Sequence, residues 1–348
     1  GLGRVRPGKP FAGVSADTEP AGGFGRMRII SLGNDSLDGH WEMMCLPTRF
    51  EVDYFPQGFP DELLDKLRAF SGRDIVCNKP YSGTEVLKDY GEHQLATGDL
   101  IVYTSGDSVL QIAAHEDVIP LDELYRICEY ARTLINGPEI TMGRVIARPY
   151  VGTCAADFTR TANRHDYGLT PTGPTVVDFL RDAGLDTIAV GKTYDLLCGN
   201  GFSESYHNES NSDGMDHVDE VMARDWHGLC FTNLVDYDML YGHRNDVDGY
   251  AKALTYFDGR LTELLMALRD EDLLIITADH GCDPSTPSTD HSREYTPMVA
   301  FGRPVKMGVN LGTRTTFADI GATVLDYLGV DGATGGESFL SQILRGAV

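Results

Sequence analysis

Basic residues are in short supply: 29 Lys and Arg stand against 52 Asp and Glu, a net charge of −23 over 348 residues. A field of that sign repels nucleic acid and acidic membrane surfaces at long range, so neither is an expected partner. It also requires any phosphate ligand to be held by locally placed arginines, lysines or metal ions. Long apolar runs are missing too. No stretch approaches the roughly 18 to 20 residues that cross a bilayer, and no basic, apolar, small-residue opening reads as a secretion signal, so a cytoplasmic location is expected. Cysteine is sparse and scattered singly, at Cys45, Cys77, Cys128, Cys154, Cys198, Cys230 and Cys282. An odd count with no C-x-x-C pair argues against a disulfide framework and a structural zinc knot. The absence of a fixed-period repeat or a low-complexity tract sets aside solenoids, propellers and disorder.

What is present is the composition of a soluble globular protein, 42% hydrophobic and 23% charged, longer than one ordinary domain. Short apolar runs at 100–103, 144–147, 187–190, 229–235 and 273–277 read as strands. Helical patterns fall at 61–70 (Asp61 as its cap), 121–134, 175–182 and 317–328. The clearest spans 249–269, where Tyr250, Leu254, Phe257, Leu261, Leu264, Leu265 and Leu268 recur at spacings of three and four and predict one buried face. The alternation predicts an α/β fold with a mainly parallel sheet covered by helices. Turn-rich segments at 54–60 and 167–174 suggest a domain break near residue 50 and a return near 168.

Two strand ends carry the chemistry. The run LLIITADHGCDPSTPSTDHSREYTP ends an apolar strand in Asp279 and His280, then supplies Asp283, Asp290 and His291 from a loop. The strand at 229–235 runs into Asp236, Tyr237 and Asp238, followed by Gly242 and His243. In open α/β sheets ligands gather at the carboxyl ends of strands. Carboxylates and imidazoles delivered there together suit one or two divalent ions, whose usual work is phosphoryl or sulfuryl transfer. A third stretch, GNDSLDGHWE at 33–42, places Ser36 where a helix start would favour a covalent phosphate. Ser36 is thus a candidate nucleophile; the alternative is that Asp35 or Ser36 serves only as an N-cap.

The segments GHWEMM, NKPYSGTEV, TGDLIVYTSGDSVLQIAAHEDVIP, GRVIARPYVG, RTANRHDY, NLVDYDMLYGHR, ADHGCDPSTPSTDHSREYTP and TFADIGATV resemble, in the same order, those of bacterial phosphopentomutases. The resemblance implies an alkaline-phosphatase-like metal-binding core at 1–50 and 168–348, with a mainly parallel sheet, and a smaller inserted α/β cap at 51–167 for sugar-phosphate recognition. It implies one ion, usually manganese, on Asp238, His243 and His291, and another on Asp279 and His280. Ser36 stands where the family has its phosphorylated threonine. Asp107, Arg144, Arg160 and Lys192 match positions that contact the sugar phosphate. The implied reaction interconverts (deoxy)ribose 1-phosphate and 5-phosphate through a phospho-enzyme and a sugar bisphosphate, which also serves as activator. A metal-dependent phosphatase of the same superfamily and an impaired sugar-phosphate-binding homologue are the alternatives.

Two departures accompany the match. The family opens with a strand whose following Asp completes the first metal site; the match here starts after it, and no residue among 1–27 replaces that Asp, Asp17 lying in a loop-like segment. Around the nucleophile, the family's Lys-Asp-Thr turn with a second Thr two residues on reads Asn34, Asp35, Ser36 and then Asp38. Asp38 is therefore expected to place a negative charge near the phosphoryl group unless it faces away.

Overall fold

A computed structural model describes residues 4, 17–105, 108–137, 139–332 and 335–345. The chain divides into two compact units, Gly1–Arg49 with Gly173–Val348, and Phe50–Thr172.

In the unit Phe50–Thr172 the strands run in the order Ile75–Pro80, Leu100–Thr104, Val109–His115, Arg144–Val151 and Thr159–Arg160, with His165–Gly168 also pairing on Arg144–Val151. The central strands read as unbroken apolar runs because both faces are covered. Leu100, Val102, Leu110, Ile112 and Val145 pack on one side with Leu63, Leu67, Leu124 and Ile127 of the helices Asp61–Ser71 and Leu121–Leu134. Ile101, Tyr103, Ala113 and Tyr150 pack on the other with Val86 and Leu87 of the helix Glu85–Thr97. Asp61 is the first helical residue and Pro60 the N-cap, a correction to the expected cap. Proline suits that end, where its missing N–H costs no helical hydrogen bond.

The other unit holds two sheets. One is parallel throughout: Gly228–Thr232, Asp186–Val190 and Glu204–Tyr206. The second runs Leu274–Ile276, Thr296–Phe301, Gly23–Met27 and Asn310–Arg314, and is mixed. Thr296–Phe301 lies antiparallel to both its neighbours. The expectation of a mainly parallel sheet therefore gives way to an α/β fold of one parallel and two mixed sheets. After Leu274–Ile276 the chain returns through 277–295, a connection without a helix, as Thr296–Phe301, antiparallel to the strand it leaves.

The edge strands Gly228–Thr232 and Leu274–Ile276 both line one cavity of about 2200 Å³. This explains a second correction. The helix Val247–Ala267 forms where the periodicity placed it, yet Leu264 is its one fully buried residue, and Leu254 is 51% exposed. Phe257 and Leu261 pack on Met215 and Val218 of the helix Asn211–Met222, while Tyr250, Leu254, Phe257 and Leu261 also line the cavity, so the apolar stripe is only partly covered. No helix among the described residues is long and apolar enough to cross a membrane.

Candidate metal centre and phosphoryl site

The helix Ser36–Met43 begins with a capping box. Asp35 accepts the Asp38 N–H at 3.0 Å, and the Asp38 carboxylate accepts the Asp35 N–H at 3.4 Å. Asp35 is thus the cap, and the Ser36 hydroxyl is left over from capping at the positive end of the helix. Its Oγ lies 3.2 Å from His280 Nε2. The Asp38 carboxylate accepts the Asp35 amide within its own turn and the Thr48 hydroxyl from beyond it. Burial, and then the Asp35 charge, push the Asp38 carboxyl up to about 6.

Two residues that the motif reading did not single out fix this turn. Arg293 donates to the carbonyls of Ser31, Leu32 and Gly33 at 2.8, 2.9 and 2.9 Å. Glu42, fully buried, accepts the amides of Ile30, Ser31 and Phe317 and the hydroxyls of Ser31 and Thr316 at 2.6 to 3.0 Å. A buried carboxylate with this many donors is a rigid post, because any rearrangement strands a charge in the interior.

The two strand ends meet beside Ser36. Asp238 Oδ1 is 3.0 Å from His291 Nε2 and 3.2 Å from His243 Nε2. Asp279 Oδ2 is 3.4 Å from His280 Nε2, and the His280 ring stacks on His291 with centroids 3.6 Å apart. The Asp238, His280 and His291 donor atoms all lie within 4.8 Å of one another. Structurally, His280 therefore neighbours both the Asp279 and the Asp238 groups. His243 Nδ1 donates to the Thr289 carbonyl at 2.6 Å, so in the neutral ring Nε2 carries a lone pair facing a carboxylate. That juxtaposition fits a cation: an outer carbonyl fixes the imidazole tautomer, and oxygen and nitrogen donors converge in a mixture suited to a first-row divalent ion.

Charge placement follows burial and neighbours. Burial alone would raise Asp279, yet the His40 imidazole beside it, followed by His280, holds its carboxyl well below the usual range. Against the same tendency, the His291 hydrogen bond lowers Asp238, and Asp238 in turn raises His291. Burial lowers His280. The site thus keeps its carboxylates ionised at neutral pH.

His40 is a positioning residue that sequence reasoning missed. Its Nδ1 sits 2.7 Å from the Ser36 carbonyl and 3.3 Å from Asp279 Oδ2, while Nε2 meets Asn233 at 3.3 Å. Gly39 makes the approach possible, since a Cβ there would lie 2.0 Å from the Asp279 carbonyl oxygen. Gly39→Ala must push the helix Ser36–Met43 off the Asp279 strand end. A displacement near 1 Å at a reacting centre costs on the order of a hundredfold in rate, so steady-state assay of this variant should show that loss while circular dichroism stays that of a folded protein.

The remaining sequence candidates are distributed as follows. Lys192 lines the same cavity as Ser36, Asp238, Asp279 and His280. Asp283 turns back to the Ser285 amide and hydroxyl at 2.8 and 2.6 Å, Asp290 is exposed, and Asp236 accepts the Asn211 amide at 2.8 Å. In the unit Phe50–Thr172, Arg144 opens its strand 3.9 Å from Asp166, and Arg160 is exposed opposite Tyr150. Asp107 lies outside the described residues.

Comparison with known proteins agrees with this chemistry. Residues 154–332 match the family model of the metalloenzyme superfamily. The chain is 57% identical over 343 residues to the phosphopentomutase of Levilactobacillus brevis, covering 99% of this chain and 87% of that one. To the phosphopentomutase of Lachnoclostridium phytofermentans it is 52% identical over 326 residues, 94% and 83% of the two chains. The structure of alkaline phosphatase from the Antarctic bacterium TAB5 aligns at a TM-score of 0.36 with 11% identity, covering 92% of this chain and 93% of that one. Identity of this extent over nearly the whole length, joined to a metal-binding superfamily match, makes the chain a member of the phosphopentomutase family.

Proposed function

We propose that the protein interconverts (deoxy)ribose 1-phosphate and 5-phosphate by lending a phosphoryl group from Ser36 to the sugar and reclaiming the other phosphate from the resulting bisphosphate. The observation that carries this reading is the Ser36 hydroxyl, spare from capping, at a helix start and 3.2 Å from His280 within the Asp and His cluster. Asp238, His243 and His291 would hold one divalent ion and Asp279 and His280 another, manganese being the assignment taken from the resemblance. Bound there, the ions would supply neutralisation of the transferring phosphoryl group and a lowered hydroxyl pKa. The protein's own groups do the placing. Arg293 and Glu42 hold the turn before Ser36, His40 ties Ser36 to Asp279, and Asp38 commits its carboxylate to the Asp35 amide and the Thr48 hydroxyl.

Lys192, Asp107, Arg144 and Arg160 are assigned to the sugar phosphate, the arginine forks suiting paired phosphate oxygens. Arg144→Ala is expected to weaken ribose 5-phosphate binding by roughly 1.5 to 3 kcal/mol, the worth of a charge-assisted hydrogen bond, with manganese content unchanged. Calorimetric titration showing parental affinity would remove Arg144 from the site. The reaction is tested by supplying ribose 5-phosphate with manganese and a sugar bisphosphate: formation of ribose 1-phosphate supports the proposal, and steady release of inorganic phosphate without isomer identifies a phosphatase instead.

A further inference from the structure

The chain that leaves the strand Gly228–Thr232 is held at two points before it reaches Asp238. The first is Asn233, whose carbonyl accepts Asn208 Nδ2 at 3.0 Å. The second is Asp236, clasped to Asn211 in both directions. The Asp236 carboxylate accepts the Asn211 N–H at 2.8 Å, and the Asn211 side-chain oxygen accepts the Asp236 N–H at 2.9 Å. Both residues are buried, at 8% and 4% exposure. The helix Asn211–Met222 comes this close because of Gly214, where a Cβ would lie 2.7 Å from Asn208 Nδ2 and 3.1 Å from Leu234 Cδ2. Met215 and Val218 of that helix pack on Leu264, so the anchor is part of the core.

Capping alone does not require Asp236. Ser210 already caps the helix, its side chain accepting the Asp213 N–H at 3.2 Å. Asp236 stands at the cap position of the turn Tyr237–Tyr241 and makes no capping bond to it. Asp236 Oδ1 and Asn211 Nδ2 are buried without a hydrogen-bond partner among the described residues, and a half-satisfied buried carboxylate is a poor device for stability. What the clasp does is fix a direction. The turn that follows has no buried residue to hold it by packing, yet its second residue, Asp238, meets His243 and His291 on a single oxygen at 3.2 and 3.0 Å. The Asn211 N–H is one of the free amides at the positive start of a helix, so the dipole also draws the Asp236 carboxylate in.

We propose that Asp236 is a positioning residue of the metal centre: with Asn211 it sets the start of the turn Tyr237–Tyr241, and so the place at which Asp238 presents its oxygen to the ion. This rests on the reading above in which Asp238, His243 and His291 hold a divalent ion. The Asp236 carboxylate is committed to Asn211 and acts through the backbone, one residue short of Asp238. The same segment meets the helix Ser36–Met43 where Asn233 Nδ2 lies 3.3 Å from His40 Nε2, so one anchored stretch serves both Asp238 and His40.

Manganese affinity of the full chain, read well below its melting transition from the EPR signal of the unbound ion, tests the assignment. Asp236→Ala and Asn211→Ala should each weaken manganese at the Asp238 group by about tenfold or more, the scale on which a lost supporting group is felt at a metal site. Combined, they should cost little more than the larger single loss, since each breaks the same clasp. Asp236→Asn keeps an acceptor oxygen for the Asn211 N–H and should recover most of the affinity. Melting of the metal-free chains reports on the fold separately: parental manganese affinity in the alanine variants, with or without a lower melting temperature, would overturn the proposal. Should Asp236→Ala fail to fold, Asn211→Ala, which leaves the carboxylate in place, decides the question. Asp238→Asn run alongside separates the two readings. If it weakens manganese and the clasp variants do not, the clasp inference fails and the metal assignment stands; if it leaves manganese unchanged, the metal assignment fails and takes the clasp with it.

Discussion

Replacing Ser36 by Ala should abolish phosphoryl transfer, by more than about a thousandfold, the scale on which a removed nucleophile is felt, and leave the protein folded with its metals. The fold is spared because Asp35, not Ser36, caps the helix, and among the described residues the Ser36 hydroxyl is hydrogen-bonded to His280 alone. Ser36→Thr should keep the activity, since it keeps a hydroxyl at the same helix position. Rate assays paired with thermal melts separate the outcomes: an Ala variant that turns over substrate at the parental rate removes Ser36 from the reaction, whereas one that fails to fold would mean the hydroxyl is structural.

The second large effect belongs to Asp238. Both His243 and His291 lie on one of its oxygens, so Asp238→Asn removes the carboxylate charge on which that donor group converges and should lower manganese affinity there by two orders of magnitude or more. In the parent, manganese should raise the melting temperature, because an ion bound by the folded state alone stabilises it in proportion to the logarithm of its concentration. The variant should lose most of that increment and its activity. Asp283→Asn is the matched control, its carboxylate being committed to Ser285. Elemental analysis giving equal manganese in parent and Asp238→Asn would show that the ion sits elsewhere.

The parts of the site that could be read from sequence are those where polar residues stand at positions packing does not require. Asp238, His243, Asp279, His280 and His291 follow apolar strands directly, and the structure draws them to one place. His40 and Glu42 were hidden because they sit inside a helix, where a polar residue near Trp41 reads as packing or motif. Their roles come from contacts to Ser36, Asp279 and Thr316, two of them more than 200 residues away. Arg293 was masked in the same way by the acidic and imidazole groups around it.

At the level of fold, periodicity located the elements but not what covers them. The helix Leu121–Leu134 lies where its spacing put it, with Leu124, Ile127 and Cys128 sealed in the core. The helix Val247–Ala267 had an equally regular stripe, and much of that stripe faces a cavity. Hydrophobic spacing reports which side of a helix avoids water and is silent about the partner surface. Strand direction is not legible in the sequence for a related reason. Apolar runs look the same in parallel and antiparallel sheets, and the connection after Leu274–Ile276 is long enough for either sense, so the antiparallel pairing of Thr296–Phe301 is visible only in the structure.

The central claim, that Ser36 carries the transferred phosphoryl group, is tested most directly by following an isotopically heavy phosphoryl group from ribose 1-phosphate by mass spectrometry in the manganese-loaded protein. The account predicts heavy phosphate on the Ser36 peptide and, with further turnover, on the C5 oxygen of ribose, with little free inorganic phosphate. Heavy label leaving as inorganic phosphate in step with substrate loss, or reaching C5 while the Ser36 peptide stays unmodified throughout, would contradict it.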